Sequence, residues 1–182
     1  MKISVYIATS LDGFIAREDG SLDWLPGSDG EPVDDGNNED YGYHTFMETV
    51  DVLIMGRNTY EMVLGFGPWA YGEKKVIVLS KSLKELPSEL PDVVELTSCS
   101  PDEIVKRLEA SGYKHAYIDG GLTIQSFLKA DLIDEITITR IPVVIGRGIP
   151  LFGPLAKDYW LKHIETKSFD NGFVQSRYEI VK

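Results

Sequence analysis

The sequence predicts an α/β fold in which a central, mostly parallel mixed sheet has helices on both faces. Short apolar segments alternate with segments of helical apolar spacing over the first two thirds of the 182 residues. Residues 52–55 are apolar throughout, as in a parallel strand buried on both faces. Asn171 and Gly172 form a dipeptide typical of a tight hairpin, which predicts an antiparallel end to the sheet. The length suits a single domain over residues 1–182.

The N-terminal part predicts a strand, a loop and a helix. Residues 2–9 form the strand, and the loop at residues 10–16 carries apolar side chains that must pack against the core or against a flat ligand. Asn37 or Asn38 is the predicted cap of the helix, with Asp40 in its first turn, where the helix dipole favours acids. The apolar stripe of this helix is Tyr43, Phe46, Met47 and Val50.

The rest of the chain continues the alternation. Ser100, Pro101 and Glu103 predict a capped helix that runs to about Ala110. Pro142 lies inside a long strand and implies an edge or a bulge there. Strands are predicted at residues 52–55, 75–79, 93–96, 116–118 and 136–144, in a segment joining 160–161 to 165–169, and at 173–180; helices are predicted after Gly56 and from Gly121 to near Ala130.

Composition and charge exclude several classes of function. The net charge of -11 makes nucleic acid an unfavourable partner, because the protein and the phosphate backbone would repel each other. No apolar segment is long enough to cross a bilayer, so no membrane association is expected. The single cysteine, Cys99, cannot form an internal disulfide, and this fits a cytoplasmic protein. The acids of residues 27–36 do not follow calcium-loop spacing, so no metal site is predicted.

Three predicted strand ends carry groups that suit phosphate. Because parallel strands end at one edge of a sheet, and ligands bind at that edge, we expect these groups to meet one ligand with several phosphates. Backbone N–H groups at helix starts and an arginine both bind phosphate well. Each segment alone equally fits a tight turn, a surface arginine or an ordinary helix cap. The three segments are Gly56 to Thr59 with Arg57, Ser80 with Lys81, and Gly120 with Gly121.

Together these segments predict NADPH as the cofactor. Its diphosphate would lie over the two glycines and Thr59. The additional ribose phosphate that distinguishes NADPH from NADH would lie between Arg57 and the pair Ser80 and Lys81.

Several motifs also occur in the order of a known family. They are SLDGFIA at residues 10–16, MGRNTYE at 55–61, VLSK at 78–81, DGG at 119–121, LIDE at 132–135 and IPVVIGRGIPLF at 141–152. The sequence therefore resembles the dihydrofolate reductase superfamily, and within it the stand-alone relatives of the reductase domain of the riboflavin-biosynthesis deaminase-reductase. The resemblance implies a dihydrofolate-reductase-like three-layer fold, NADPH as hydride donor and a homodimer. It also implies a flat heterocyclic substrate, most like 5-amino-6-(5-phosphoribosylamino)uracil.

The resemblance assigns cofactor roles residue by residue. Gly120 and Gly121 would meet the diphosphate through a non-proline cis bond, and residues 12–16 would close along the nicotinamide like a lid. The implied cofactor-binding residues are Ala8, Asp12, Gly13, Ile15, Ala16, Gly56, Arg57, Asn58, Thr59, Leu79, Ser80, Lys81, Asp119, Gly120, Gly121, Leu122 and Thr123.

The substrate side is less determined by the sequence. Asp40 is at the position of the acid that folate reductases place on their first helix, although an acid at a helix start also simply complements the dipole. Trp24 and Tyr43 are candidates for the pocket wall, and Arg147 for contact with a substrate phosphate. The chain lacks the zinc motif of a deaminase half. Two alternatives stay open, a dihydrofolate reductase and a non-catalytic, dimeric NADP-binding module.

Overall fold

The structure is a computed structural model that describes residues 1–25 and 40–182. Its strands are β1 (Lys2–Ser10), β2 (Phe14–Ala16), β3 (Val52–Gly56), β4 (Lys75–Leu79), β5 (Val94–Thr97), β6 (His115–Asp119), β7 (Glu135–Ile141), β8 (Ile149–Pro150), β9 (Leu161–Ser168) and β10 (Val174–Ile180). Its helices are α1 (Tyr43–Thr49), α2 (Arg57–Gly65), α3 (Pro101–Ala110) and α4 (Gly121–Lys129).

The main sheet has eight strands in the order β5-β4-β3-β6-β1-β7-β10-β9. The strands from β5 to β7 in this order pair in parallel, whereas β10 is antiparallel to β7 and β9 is antiparallel to β10. The predicted mixed sheet with an antiparallel C-terminal hairpin is therefore confirmed. A separate two-stranded antiparallel pair, β2 with β8, lies beside the main sheet.

Two apolar cores cover the faces of the sheet, as the continuous apolar strands predicted. On one face, Ile54 and Ile118 pack against Ile104 of α3 and Phe127 of α4. On the other face, a second cluster joins buried residues of β3 and β6 to Tyr60 of α2 and to the half-buried side chains Phe46 and Met47 of α1. Residues alternate between the two cores along each strand, so Asp119 lies on the same face as Tyr117, towards α1.

Local backbone chemistry moves several predicted boundaries. Helix α1 begins only at Tyr43, because Tyr41 and Gly42 have left-handed backbone angles (φ 54° and 86°) that interrupt a helix. The cap predicted at Asn37 or Asn38 lies outside the described residues. Strand β7 ends at Ile141 rather than residue 144, since Pro142 lacks the N–H that a ladder requires. None of the helices within residues 1–25 and 40–182 is long and apolar enough to cross a membrane.

Candidate active site

The three predicted phosphate-binding segments lie at one edge of the sheet. Gly56 at the end of β3 is paired with Leu79 at the end of β4, and Met55 is paired with Asp119 at the end of β6. The strands are parallel and adjacent, so the segments that follow them emerge side by side. Arg57, Ser80 and Gly120 therefore reach the same side of the molecule, although they are far apart in sequence.

Two helices begin at this edge without side-chain caps. Neither α2, after Gly56, nor α4, after Gly120, has a side-chain hydrogen bond to its first N–H groups. Helix α3 differs, because Ser100 and Glu103 form a complete capping box there. The N–H groups and the positive dipole ends of α2 and α4 are therefore left to bind an anion.

Glycine allows these two helix starts to approach closely. Gly120 has φ 87° and ψ 133°, which side chains rarely adopt, and a Cβ on it would collide with Oγ1 of Thr59. A Cβ on Gly56 would lie 2.8 Å from Oγ1 of Thr123, which is buried in α4. The prediction of a cis bond between Gly120 and Gly121 is wrong, because the bond is trans. The unusual backbone angles of Gly120 provide the turn instead. Backbone N–H groups and two threonine hydroxyls thus form a cradle that fits a diphosphate.

A cation and hydroxyl groups lie beside this cradle. Nη1 of Arg57 donates to Oγ of Ser82 at 3.3 Å, and Oγ of Ser82 lies 3.4 Å from Oγ of Ser80. Arg57 also contacts Oδ1 of Asn58 at 3.4 Å, and Lys81 is exposed next to the serines. Ser82 follows the predicted pair Ser80 and Lys81 in the same strand-end segment, but it was not among the predicted cofactor-binding residues. The group suits a phosphate monoester, which needs both charge and hydrogen-bond donors.

The β2–β8 pair covers the start of α4. A Cβ on Gly121 would lie 2.6 Å from Cδ1 of Ile15 and 3.6 Å from the carbonyl oxygen of Pro150. The N–H of Leu151 donates to the carbonyl oxygen of Gly13 at 3.1 Å, and Ala16 is buried under the same segment. Residues 12–16, predicted as a lid-like loop, thus include a short strand that rests on Gly121. Leu122 is 72% exposed at the open side of this cover.

Asp12 holds this cover together instead of pointing into the cradle. Its carboxylate accepts hydrogen bonds from Oγ of Ser10 at 2.6 Å, from the N–H of Gly146 at 2.8 Å and from the N–H of Ile145 at 3.3 Å. The hydrogen bond from Ser10, with those from the two backbone N–H groups, lowers the pKa of Asp12 below its usual value. The charged carboxylate therefore ties the β1–β2 turn to the loop before β8.

A partly buried acid, Asp119, lies at the end of β6 beside the cradle. Oδ1 of Asp119 accepts the N–H of Gly120 at 2.8 Å, and burial raises the pKa of Asp119 to about 6. The carboxylate faces tyrosines: after burial, it is the main cause of the raised pKa of Tyr43 in α1 and of Tyr71 in the loop before β4. Sequence reasoning named Asp119 only for the cofactor and missed Tyr71, whose loop has no periodic pattern.

Two further predicted substrate residues, Trp24 and Arg147, lie in different parts of the structure. Trp24 is 91% buried and packs with Ile141, Phe173 and Ala8, so most of its ring belongs to the core. Arg147 is exposed in a cleft of about 610 Å³ that Arg17, Glu18 and Asp19 also line.

Asp40 is exposed and precedes helix α1. Its carboxylate accepts the N–H of Gly42 at 2.8 Å and the N–H of His44 at 2.9 Å, and these bonds lower its pKa. This geometry favours the helix-start interpretation of Asp40, because a carboxylate held in its charged form is a weak proton donor. Within residues 1–25 and 40–182, no group of three or more histidine, cysteine or acidic side chains could hold a metal ion.

Comparisons of the sequence and of the structure with known proteins point to the same group of relatives. The sequence model of the RibD C-terminal domain matches residues 1–175. The chain is 40% identical to the uncharacterised protein YwjB of Bacillus subtilis over 179 residues, 97% of each chain. A solved protein of Shewanella sp. PV-4, named for riboflavin biosynthesis, is 45% identical with a TM-score of 0.90 over 100% of both chains. Dihydrofolate reductase of Enterococcus faecalis, solved with NADP(H), is 18% identical with a TM-score of 0.65 over 100% of this chain and 97% of its own. The fold is therefore dihydrofolate-reductase-like, as predicted.

Proposed function

Since the chain belongs to the RibD C-terminal domain family, we propose that it is an NADPH-dependent reductase that delivers a hydride to a flat heterocycle. The observation that carries the proposal is the meeting of two uncapped helix starts with Arg57 at one edge of the sheet. Family membership supports oxidoreductase chemistry, and the cradle at Gly120 supports a diphosphate ligand.

Each segment at this edge of the sheet would bind a different part of the cofactor. The N–H groups after Gly120 and Gly56, with the hydroxyls of Thr59 and Thr123, would hold the diphosphate. Arg57 would take the ribose phosphate, together with the hydroxyls of Ser80 and Ser82 and with Lys81. The bound dinucleotide would supply the hydride, and Ala8 with residues 12–16 would lie along the nicotinamide.

The family supplies the first candidate substrate, 5-amino-6-(5-phosphoribosylamino)uracil. Its phosphate requires a cation, and Arg147 is exposed at the cleft beside the β2–β8 cover. We therefore expect Arg147→Ala to raise the KM for the phosphorylated compound several-fold and to leave the KM for its dephosphorylated form unchanged. An equal effect on both compounds would remove Arg147 from phosphate recognition.

Asp40 is the acid that the resemblance proposes for protonating the substrate. NADPH oxidation by Asp40→Asn, assayed with the aminouracil and with dihydrofolate, tests this role and separates the alternatives. A normal rate would remove Asp40 from the mechanism, and turnover of dihydrofolate alone would favour a dihydrofolate reductase. Tight NADPH binding without turnover of either compound would favour a non-catalytic binding module.

The decisive experiment is a titration of nucleotide fluorescence with NADPH and with NADH. The wild-type protein should prefer NADPH, because only NADPH carries the additional ribose phosphate that Arg57 and the two serines would bind. Arg57→Ala should remove the preference. The matched control Arg107→Ala should retain it, since Arg107 lies in α3 and pairs with Glu95 of β5. Equal affinity of the wild-type protein for both nucleotides would contradict the proposal.

We extend the proposal to a cytoplasmic homodimer. Trp160 is 75% exposed, Phe152 42% and Leu161 38%, and all three line a groove of about 520 Å³ with Leu155. Exposed apolar surface of this kind is typical of protein interfaces. Sedimentation should give the mass of a dimer for the wild-type protein and of a monomer for Trp160→Ser. A monomeric wild-type protein would reject this extension without affecting the cofactor proposal.

A further inference from the structure

Helix α1 starts from a backbone turn that needs support from elsewhere in the chain. Tyr41 has φ 54°, a left-handed angle that residues other than glycine rarely adopt, and Gly42 follows with φ 86°. A strained conformation of this kind persists only where the surrounding contacts hold it, and such strain is often found at functional sites. The turn lies between Asp40 and Tyr43, two of the predicted substrate-side residues. The contacts that hold it therefore bear on the candidate active site.

The turn between β9 and β10 holds the side chain of Tyr41. The ring of Tyr41 packs against Phe169 and Phe173, with ring centroids 4.9 and 5.2 Å away. Nδ2 of Asn171 donates to Oη of Tyr41 at 2.7 Å, across 130 residues of sequence. All three contacts come from the end of the C-terminal hairpin, so the position of Tyr41 depends on where this hairpin lies.

A buried glutamine of β10 holds the backbone of the same turn. Nε2 of Gln175 donates to the carbonyl oxygen of Tyr41 at 3.1 Å and to Oη of Tyr6 at 2.8 Å. Oη of Tyr6 in turn donates to the same carbonyl oxygen. A carbonyl oxygen can only accept, so the amide nitrogen of Gln175 must face it, and the orientation of the amide is fixed. Gln175 is 8% exposed, so water cannot readily replace the donors that it provides.

Gln175 also lies in the same row of the sheet as Ala8. It is paired with Thr139 of β7, which is paired with Ala8 of β1, and its Nε2 donates to Oγ1 of Thr139 at 3.0 Å. Tyr6 is two residues before Ala8 in the same strand, so their side chains lie on one face of the sheet. Gln175 therefore joins the turn before α1 to the part of the sheet where the nicotinamide is proposed to lie.

We propose that Gln175 is a positioning residue of the candidate active site. It holds the turn at Tyr41 and thereby fixes the start of α1, with Asp40 and Tyr43, relative to Ala8. Gln175 would act through the backbone of Tyr41 and not by contact with substrate or cofactor. The proposal rests on the proposed reductase function for the roles of Ala8, Asp40 and Tyr43, whereas the support of the turn by Gln175 can be measured without it.

The simpler explanation is that Gln175 only stabilises the C-terminal hairpin. The next residue of β10, Ser176, provides a matched control, because it is 7% exposed and its Oγ lies 2.9 Å from Oγ1 of Thr166 in β9. Successive side chains of a strand point to opposite faces, so this contact joins the two strands of the hairpin and does not reach Tyr41. Both Gln175→Met and Ser176→Ala remove buried hydrogen bonds of β10, but only the first removes a donor to Tyr41.

Hydrogen exchange of the full chain without ligands tests the support of the turn. Gln175→Met retains the length of the side chain and removes its donors. We expect the amides of residues 42–49 to exchange at least about fivefold faster in Gln175→Met than in the wild-type protein, and at the wild-type rate in Ser176→Ala. Tyr6→Phe removes the other donor to the same carbonyl oxygen and should act in the same direction, including where Gln175→Met does not fold.

Unchanged exchange of α1 in both Gln175→Met and Tyr6→Phe would overturn the proposal. Equally fast exchange of α1 in Ser176→Ala would also overturn it, because any weakening of the hairpin would then have the same effect.

Kinetics with 5-amino-6-(5-phosphoribosylamino)uracil separates positioning from stability. In Gln175→Met the KM for this compound should rise at least about fivefold, because the substrate-side residues of α1 are no longer held in place. The Kd for NADPH should stay at the wild-type value, since the phosphate-binding segments follow β3, β4 and β6 whereas Gln175 lies in β10. Ser176→Ala should change neither quantity, and an equal rise of KM in the two variants would overturn the positioning role.

Failure of this proposal can be distinguished from failure of the reductase function. Faster exchange of α1 in Gln175→Met, in a protein whose wild type binds NADPH and NADH equally, would reject the cofactor assignment and support the hold of Gln175 on the turn. Wild-type exchange of α1 in Gln175→Met and Tyr6→Phe, in a protein that prefers NADPH, would reject the role of Gln175 alone.

Discussion

The carboxylate of Asp12 accepts the backbone N–H of Gly146 at 2.8 Å and thereby joins two loops that are 134 residues apart in sequence. Oγ of Ser10 completes the junction, since it donates to Asp12 and accepts the N–H of Phe14. The junction fixes the position of the β2–β8 pair, which places Ile15 against Gly121. Under the proposed function, Asp12 would therefore act on the cofactor through the backbone of the β2–β8 cover.

We predict that Asp12→Ala weakens NADPH binding about tenfold, because the cover loses three acceptor bonds and becomes mobile. Asp12→Asn retains one carbonyl acceptor and should be intermediate. Hydrogen exchange should increase at residues 143–151 in Asp12→Ala and remain unchanged in β3 and β4. Weakened binding without faster exchange in that loop would contradict the positioning role and favour direct contact of Asp12 with the cofactor.

Gly120→Ala tests the cradle between α2 and α4. The added Cβ would collide with Oγ1 of Thr59 and displace the start of α2, so we expect NADPH binding to be lost. The backbone angles of Gly120, φ 87° and ψ 133°, are essentially reserved for glycine, so an alanine there adds a strain of about 1–3 kcal/mol to the folded state. Fluorescence titration measures the first effect, and denaturant unfolding measures the second.

Gly112→Ala is the matched control for this variant. Gly112 also has φ 87°, but a Cβ there would meet no atom within 4 Å. Gly112→Ala should also be strained by its positive φ, but it should retain normal NADPH binding. If both variants bind NADPH equally well, the contact between Gly120 and Thr59 is unimportant for the cofactor.

The raised pKa of Asp119 predicts how the stability of the protein depends on pH. Burial raises the folded-state pKa of Asp119 to about 6, above its usual value of 3.8, so the charged form is disfavoured in the fold. The associated stability is fully present below about pH 4 and is lost as the pH rises through 6. Asp119→Asn should therefore be more stable than the wild-type protein at pH 8, by at most about 3 kcal/mol, and equally stable at pH 3.5. Thermal unfolding at both pH values measures this difference.

Asp131→Asn should show the opposite sign. The hydrogen bond from Lys157 lowers the pKa of Asp131, so its charged form is favoured in the fold. The stability it contributes is present above about pH 4 and is lost as the pH falls. This variant should be slightly less stable than the wild-type protein at pH 8 and equal to it in acid. The same sign for both variants would mean that burial does not disfavour the charge of Asp119.

Most strands of the main sheet could be predicted, because each one depends on a local pattern. The apolar runs before Gly56 and Gly120 identify β3 and β6, and glycine followed by helical spacing identifies the turns into α2 and α4. Parallel pairing then brings the strand ends together, so the convergence of Arg57 and Gly120 follows from topology.

The missed features depend on contacts between distant segments. The position of Tyr71 near Asp119 is set by tertiary packing of an irregular loop, which leaves no periodic signal in the sequence. The late start of α1 depends on the left-handed angle of Tyr41, a conformation that non-glycine residues rarely adopt. The role of Asp12 required knowledge of its partner Gly146, since an Asp-Gly pair alone indicates only a turn.

Lys74 fixes the end of the helix that carries Tyr43. Its Nζ donates to the carbonyl oxygen of Val50 at 2.6 Å and to that of Met47 at 3.0 Å, so a cation satisfies carbonyl groups at the negative end of the α1 dipole. Lys74→Met should cost about 1–2 kcal/mol of unfolding free energy, measured in denaturant. It should also raise the KM of the heterocycle while NADPH affinity is retained, because α1 carries Tyr43 but supplies none of the three phosphate-binding segments. Exposed Lys84→Met is the control and should change neither quantity; a loss of NADPH affinity in Lys74→Met would show that α1 supports the cofactor side instead.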